Sequence, residues 1–156
     1  EGSLDLELGA NHVRVQREGI RFTSKLIDGR FPEYERVIPK ESANQLSADK
    51  AAFRGALQRT AILSNEKYRG IRLVIRDSGV VIQAHNPEQE EAEEELEVSY
   101  SGEDIEIGFN VNYLLDALGA VDGDDVTLSV LDSNSSCLIR QPGNDDGKFV
   151  VMPMRL

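Results

Sequence analysis

The chain has 156 residues, 40% of them hydrophobic and 29% charged, which calls for one domain, or one plus part of another, and excludes wholesale disorder. Its 28 acidic and 17 basic residues leave a net charge of −11, which argues against wrapping nucleic acid through clustered Lys and Arg. No apolar run approaches the roughly 18–20 residues of a membrane span.

The opening Glu1-Gly2-Ser3-Leu4-Asp5 is not a signal segment,. A start without methionine predicts a processed product or a piece of a longer chain, and the single Cys137 fits a reducing cytoplasm,. Alternation predicts strands over 4–8, 12–16 and 20–27, followed by a proline-bounded, aromatic, ordered connector over 28–40,. A short extended piece at 45–47 leads into a helix over 48–65 with Ser47 as N-cap; Phe53, Ala56, Leu57 and Ala61 form its apolar stripe,. Strands follow at 71–76 and 80–85, joined by an Asp77-Ser78-Gly79 turn, and at 94–101,. A second round begins with a strand at 104–108. Asn110 caps a helix whose Val111, Leu114, Leu115 and Leu118 fall at i, i+3, i+4 and i+7, and strands follow at 126–131, 136–140 and 148–154,. The fold class is therefore α+β: two strand-helix-three-strand units, with two helices packed on antiparallel sheet.

Residues for catalysis are sparse. His12 and His85 are isolated and read as strand residues, and neither zinc spacing nor a phosphate-cradling glycine loop occurs,. The pairs Asp124/Asp125 and Asp145/Asp146 leave open an acidic, metal-dependent hydrolase, although their Gly and Asn neighbours fit solvated hairpin loops. Binding features are stronger. The acidic run Glu88-Gln89-Glu90-Glu91-Ala92-Glu93-Glu94-Glu95 leads into a strand, as a charged edge awaiting a complementary partner would,. Lys50, Arg54, Arg59, Lys67, Arg69 and Arg72 form one basic stretch, either a solvated helix face or a weak phosphate-attracting one,. The closing Val150-Val151-Met152-Pro153-Met154-Arg155-Leu156 is apolar where termini are usually polar and frayed,. Methionine adapts to varied partners, and Pro153 belongs at a strand end or edge, so this segment reads as a binding surface.

Several segments, in order, resemble the bacterial DNA polymerase III beta subunit family, the replicative DNA sliding clamps. They are residues 22–32, Tyr34, Arg36-Val37, residues 61–67, residues 86–94, Glu106-Ile107-Gly108-Phe109-Asn110-Val111, and the closing heptapeptide. The resemblance implies a DNA-clamp fold, with 1–40 as the last strands of a middle domain plus connector and 41–156 as the C-terminal domain. It implies a non-catalytic processivity factor, without cofactor or metal, acting in the bacterial cytoplasm at the nucleoid. In the family, a head-to-tail ring of two chains surrounds duplex DNA and tethers polymerase to it. A shortened chain of this kind cannot close that ring and is expected to be monomeric or artificially associated.

Residue by residue, the resemblance places a pocket for linear peptides of polymerases, the clamp loader and repair proteins at the domain junction. Its residues would be Pro32, Arg36, Val37, Asn110, Tyr113, Ser133, Asn134, Ser136, Val150, Val151, Met152, Pro153, Met154 and Arg155. Asn134 stands where an apolar residue is common, making the rim more polar. Ile62, Leu63, Glu88, Glu90, Glu91, Glu93 and Glu94 map to the ring contact, and Lys50, Arg54 and Arg59 to a weakly DNA-facing helix.

Overall fold

The structure, a computed structural model, describes residues 2–31, 33–39, 44–77 and 79–155. Two compact units divide the chain, Glu1–Glu33 and Tyr34–Leu156.

The first unit is an antiparallel meander of β1 (Asp5–Leu8), β2 (His12–Arg17) and β3 (Ile20–Lys25). Glu18 and Gly19, at φ 44° and 84°, supply the two left-handed residues of a tight hairpin turn matched to strand twist,. Leu6 lies opposite Val15 and Val15 opposite Phe22, which sets apolar side chains on one sheet face,.

The second unit contains β4 (Gln45–Asp49), α1 (Lys50–Thr60), β5 (Gly70–Arg76), β6 (Gly79–His85), β7 (Glu91–Glu97), β8 (Ser99–Ser101), β9 (Ile105–Asn110), α2 (Val111–Ala120), β10 (Asp125–Val130), β11 (Cys137–Arg140) and β12 (Phe149–Val151). The strand-helix-three-strand order expected from periodicity therefore occurs twice, with β8 between the rounds. One sheet runs β12-β11-β10-β4-β8 and the other β7-β6-β5-β9, with every pairing antiparallel. Each round thus sends its leading strand into the sheet completed by the other round's last three strands. Phe53, Ala56 and Leu57 of α1 and Val111, Leu114 and Leu118 of α2 join the sheet residues Leu46, Ile71, Leu73, Ile82, Ile107, Phe109, Val126, Leu128 and Ile139 in one core. This burial of apolar area drives the fold.

Several local expectations change. The cap of α1 is Asp49, whose carboxylate accepts the Ala52 amide at 2.7 Å. Ser47 is still in strand, its hydroxyl 3.3 Å from that of Thr127 on β10. The helix stops at Thr60, and Ala61–Leu63 tightens into a 3₁₀ turn. An Asx turn follows, in which the Asn65 side-chain oxygen accepts the amides of Lys67 and Tyr68; its competition with the helical ladder explains the early stop. The strand expected at 94–101 is two strands in different sheets, broken at Val98. The last strand covers only Phe149–Val151 because Pro153 cannot donate; Met154 then bridges to Gly108 of β9, its amide 2.9 Å from the Gly108 carbonyl,. Ser78 of the expected hairpin turn lies outside the described residues.

Candidate functional site

The turn at Tyr34–Arg36 is a 3₁₀ helix closed by the Val37 and Ile38 amides, which donate to the Tyr34 carbonyl at 3.0 and 3.3 Å. The Ser136 hydroxyl donates to the Val37 carbonyl at 3.0 Å, tying this turn to the approach to β11. Beside it, the Asp132 carboxylate accepts the Asn134 amide at 2.8 Å, and the Ser135 amide donates to the Asp132 carbonyl at 3.4 Å. The hydrogen bond from the Asn134 amide, then that from the Ser135 hydroxyl, hold the Asp132 carboxyl below the usual carboxylate range,. Together these contacts fix a cavity of about 680 Å³ whose apolar walls are Val37, Pro39, Leu131 and Met152, with Arg36, Ser135 and Ser136 as polar groups. Met152 is 61% exposed and Leu131 55%, so both present open apolar surface. A concave site with apolar walls and a few polar groups suits an anchor side chain.

Of the residues expected at a peptide pocket, Arg36, Val37, Ser136 and Met152 come together here. Ser133, Asn134, Met154 and Arg155 line a separate cavity of about 410 Å³ beside Arg72 and Glu106. Asn110 caps α2, accepting the Asn112 amide and donating to the Tyr68 carbonyl, while Tyr113 is exposed on the first turn of that helix. Val151 belongs to the core, Val150 and Pro153 are half-buried, and Pro32 lies outside the described residues. Glu35, Ile38, Pro39, Leu131 and Ser135 also line the first cavity but were missed. The signal for Leu131 was an apolar residue just beyond a strand end, which periodicity had absorbed into the strand.

The acidic run behaves as an edge. β7 is the outer strand of its sheet, with Glu91 and Glu93 outward and exposed. Asn86 organises the preceding turn by accepting the Glu90 amide at 3.0 Å, Gln89 adopts φ 66°, and Glu88 and Glu90 are exposed. Glu94 points to the helix side, where Arg59 grips it with two hydrogen bonds, the Nε contact at 3.0 Å. That bond holds the Glu94 carboxyl below its ordinary value and raises the Arg59 guanidinium. Nearby Ile62 is 75% exposed and Leu63 half-buried.

Among the basic residues on α1, Lys50 donates its Nζ to the Val121 carbonyl at 2.8 Å and Arg59 is committed to Glu94. Arg54 is exposed, without an ion-pair partner among the described residues. The metal-dependent alternative gains no support. Asp124 and Asp125 precede and begin β10, Asp145 accepts Arg140 at 2.9 Å, and no cluster of three or more metal-ligating side chains occurs among the described residues.

Comparison with known proteins agrees with this layout. Residues 35–155 match the family described as DNA polymerase III beta subunit, C-terminal domain. The beta sliding clamp of Pseudomonas putida is 56% identical over 156 residues, covering 100% of this chain and 42% of that protein. The beta sliding clamp of Escherichia coli K12 is 47% identical over 156 residues, covering 100% of this chain and 43% of its own length. The crystal structure of the DNA polymerase III subunit beta from Pseudomonas aeruginosa superposes with a TM-score of 0.88 at 53% identity, over 98% of this chain and 42% of that one. A sliding clamp from Bartonella birtlesii, solved bound to griselimycin, gives a TM-score of 0.89 at 35% identity, over 100% and 42%. The chain thus spans about 42% of the length of these relatives. The chain therefore belongs to the DNA polymerase III beta subunit family, the bacterial sliding clamps, and carries that family's C-terminal domain.

Proposed function

We propose that the protein serves as a processivity factor of bacterial replication, acting in the cytoplasm at the nucleoid. It contributes the C-terminal domain of a head-to-tail ring that tethers polymerase to duplex DNA and catalyses no reaction itself. Residues 1–40 correspond on this reading to the end of the middle domain and its connector, and 41–156 to the C-terminal domain. The acidic, charge-bearing edge of β7 with exposed Ile62 supports a ring contact, since charge on an edge discourages indiscriminate pairing and selects a complementary strand,. The net charge of −11 supports topological tethering over tight phosphate contact, because strong phosphate binding would brake sliding,.

The observation that carries the reading is the 680 Å³ cavity between the turn at Tyr34–Arg36 and Met152, which suits the apolar anchor of a short linear peptide,. A fluorescent Gln-x-x-Leu-Phe-like peptide should bind the 156-residue chain, and Met152→Ala should weaken it by about tenfold or more, as truncation of a central anchor does. Deletion of 152–156 should abolish binding. Affinity unchanged by both alterations would overturn the docking reading.

A further inference from the structure

We propose that Met152 is a redox-sensitive modification site: a peroxide converts its thioether to the sulfoxide, which closes the docking cavity to an apolar anchor until the sulfur is reduced again. This inference rests on the docking reading above and concerns the control of that same site. The chain carries three sulfur atoms, those of Cys137, Met152 and Met154, and no tryptophan. Their surroundings differ. Cys137 is fully buried in mid-sheet, opposite Val130 and Val151. Met154 is half-buried, and its backbone is held to Gly108. Met152 is 61% exposed, just past the end of β12 and directly before Pro153. A thioether reacts through a sulfur lone pair without first losing a proton, so access decides which sulfur is oxidised. An oxidant that meets the folded chain therefore reaches Met152 first.

The step is an oxygen transfer. The Met152 sulfur lone pair attacks one peroxide oxygen, the O–O bond breaks, and the sulfur gives up two electrons. The transferred oxygen passes its proton to the departing one, which leaves as water or an alcohol. A dithiol reverses the step: the sulfoxide oxygen leaves as water and the dithiol becomes a disulfide. The oxidised side chain is polar and chiral where methionine was apolar and adaptable. Its position gives the change its effect. Met152 shares its cavity with Val37, Pro39 and Leu131, so a sulfoxide oxygen there has apolar neighbours. The two hydroxyls at the site are engaged, Ser136 with the Val37 carbonyl at 3.0 Å and Ser135 with the Asp132 carboxylate. A docking apolar side chain would strip water from the sulfoxide and return no hydrogen bond from either hydroxyl, and that cost falls on binding. The fold is spared, because the core residue of this stretch is Val151 and the latch to Gly108 uses the Met154 backbone.

The test is limited hydrogen peroxide treatment of the 156-residue chain, read by peptide mass spectrometry and by fluorescence anisotropy with a Gln-x-x-Leu-Phe-like peptide. Met152 should gain one oxygen before Met154 does, with Cys137 unmodified. The Kd should rise about tenfold and fall back after treatment with reductases for both sulfoxide epimers. Met152→Leu has no sulfur at this position, so peroxide should move that variant's own Kd by less than about twofold. Met154→Leu, compared with its own untreated Kd, should keep the rise of about tenfold. The first variant also separates oxidation at this position from general damage. The proposal is overturned if Met154 or Cys137 is oxidised first, if the reductases fail to restore binding, or if Met152→Leu is as sensitive to peroxide as the parent chain. An untreated chain that does not bind the peptide would sink the docking reading and this inference with it. Oxidation at Met152 that leaves the Kd within about twofold would sink the inference alone.

Discussion

Cys137 sits in the middle of a sheet, opposite Val130 on β10 and Val151 on β12, with no exposed surface. Burial pushes its thiol up to about 12, against a smaller opposing pull from the Ser129 backbone. Since the thiolate is the reactive species, this cysteine is a packing residue at neutral pH. An aromatic disulfide reagent at pH 8 should leave the folded protein unmodified and titrate one thiol after denaturation. Rapid reaction of the native chain would contradict this placement. Arg59 shows how a residue's role can differ from its type. It lies in the basic stretch, yet its guanidinium is spent on Glu94 and ties the acidic edge strand to the last turn of α1.

The junction of β4 and α1 illustrates what could be read at the level of elements. The sequence reading places the cap at Ser47, whereas the structure places it at Asp49, and the sheet sets the difference. Pairing with β10 extends β4 through Asp49, which faces Asp125, so the helix begins two residues later than propensity suggested. Asp49→Ala should cost about 1 kcal/mol in a urea melt and Asp49→Asn only a small part of that, because asparagine caps equally well. Equal losses would point away from capping. Periodicity exposed both helices and nearly all strands, because burial of one face writes itself into the sequence. It could not show that 91–101 changes sheet at Val98, since alternation persists on both sides of the break and records only inward and outward, not which partner is inside. The candidate site was legible at Met152, an adaptable side chain in an unusually apolar terminus, whereas Arg36 entered only through the family resemblance,. It was not legible where ordinary residues such as Leu131 and Pro39 acquire their role through a turn contact made by Ser136 across 99 positions.

For the second unit as a whole, the exchange of leading strands decides cooperativity. β4 completes the sheet of β10–β12 and β9 that of β5–β7, so neither round can keep a full sheet if the other opens. Native-state hydrogen exchange should give the slowest amides of β4 and β9 the same opening free energy as those of β5 and β10, in one cooperative unit. Opening of one round at clearly lower free energy would show the exchange to be energetically slack. The terminal segment adds a mechanical consequence. Phe149–Val151 is hydrogen-bonded along β11 in one sheet, and Met154 is latched to Gly108 in the other, so the stretch carrying Met152 is anchored at both ends. A tug from a tethered partner along this stretch would load those bonds together in shear instead of peeling them one at a time. The segment carrying Met152 is therefore built to bear a load without being pulled out of the molecule.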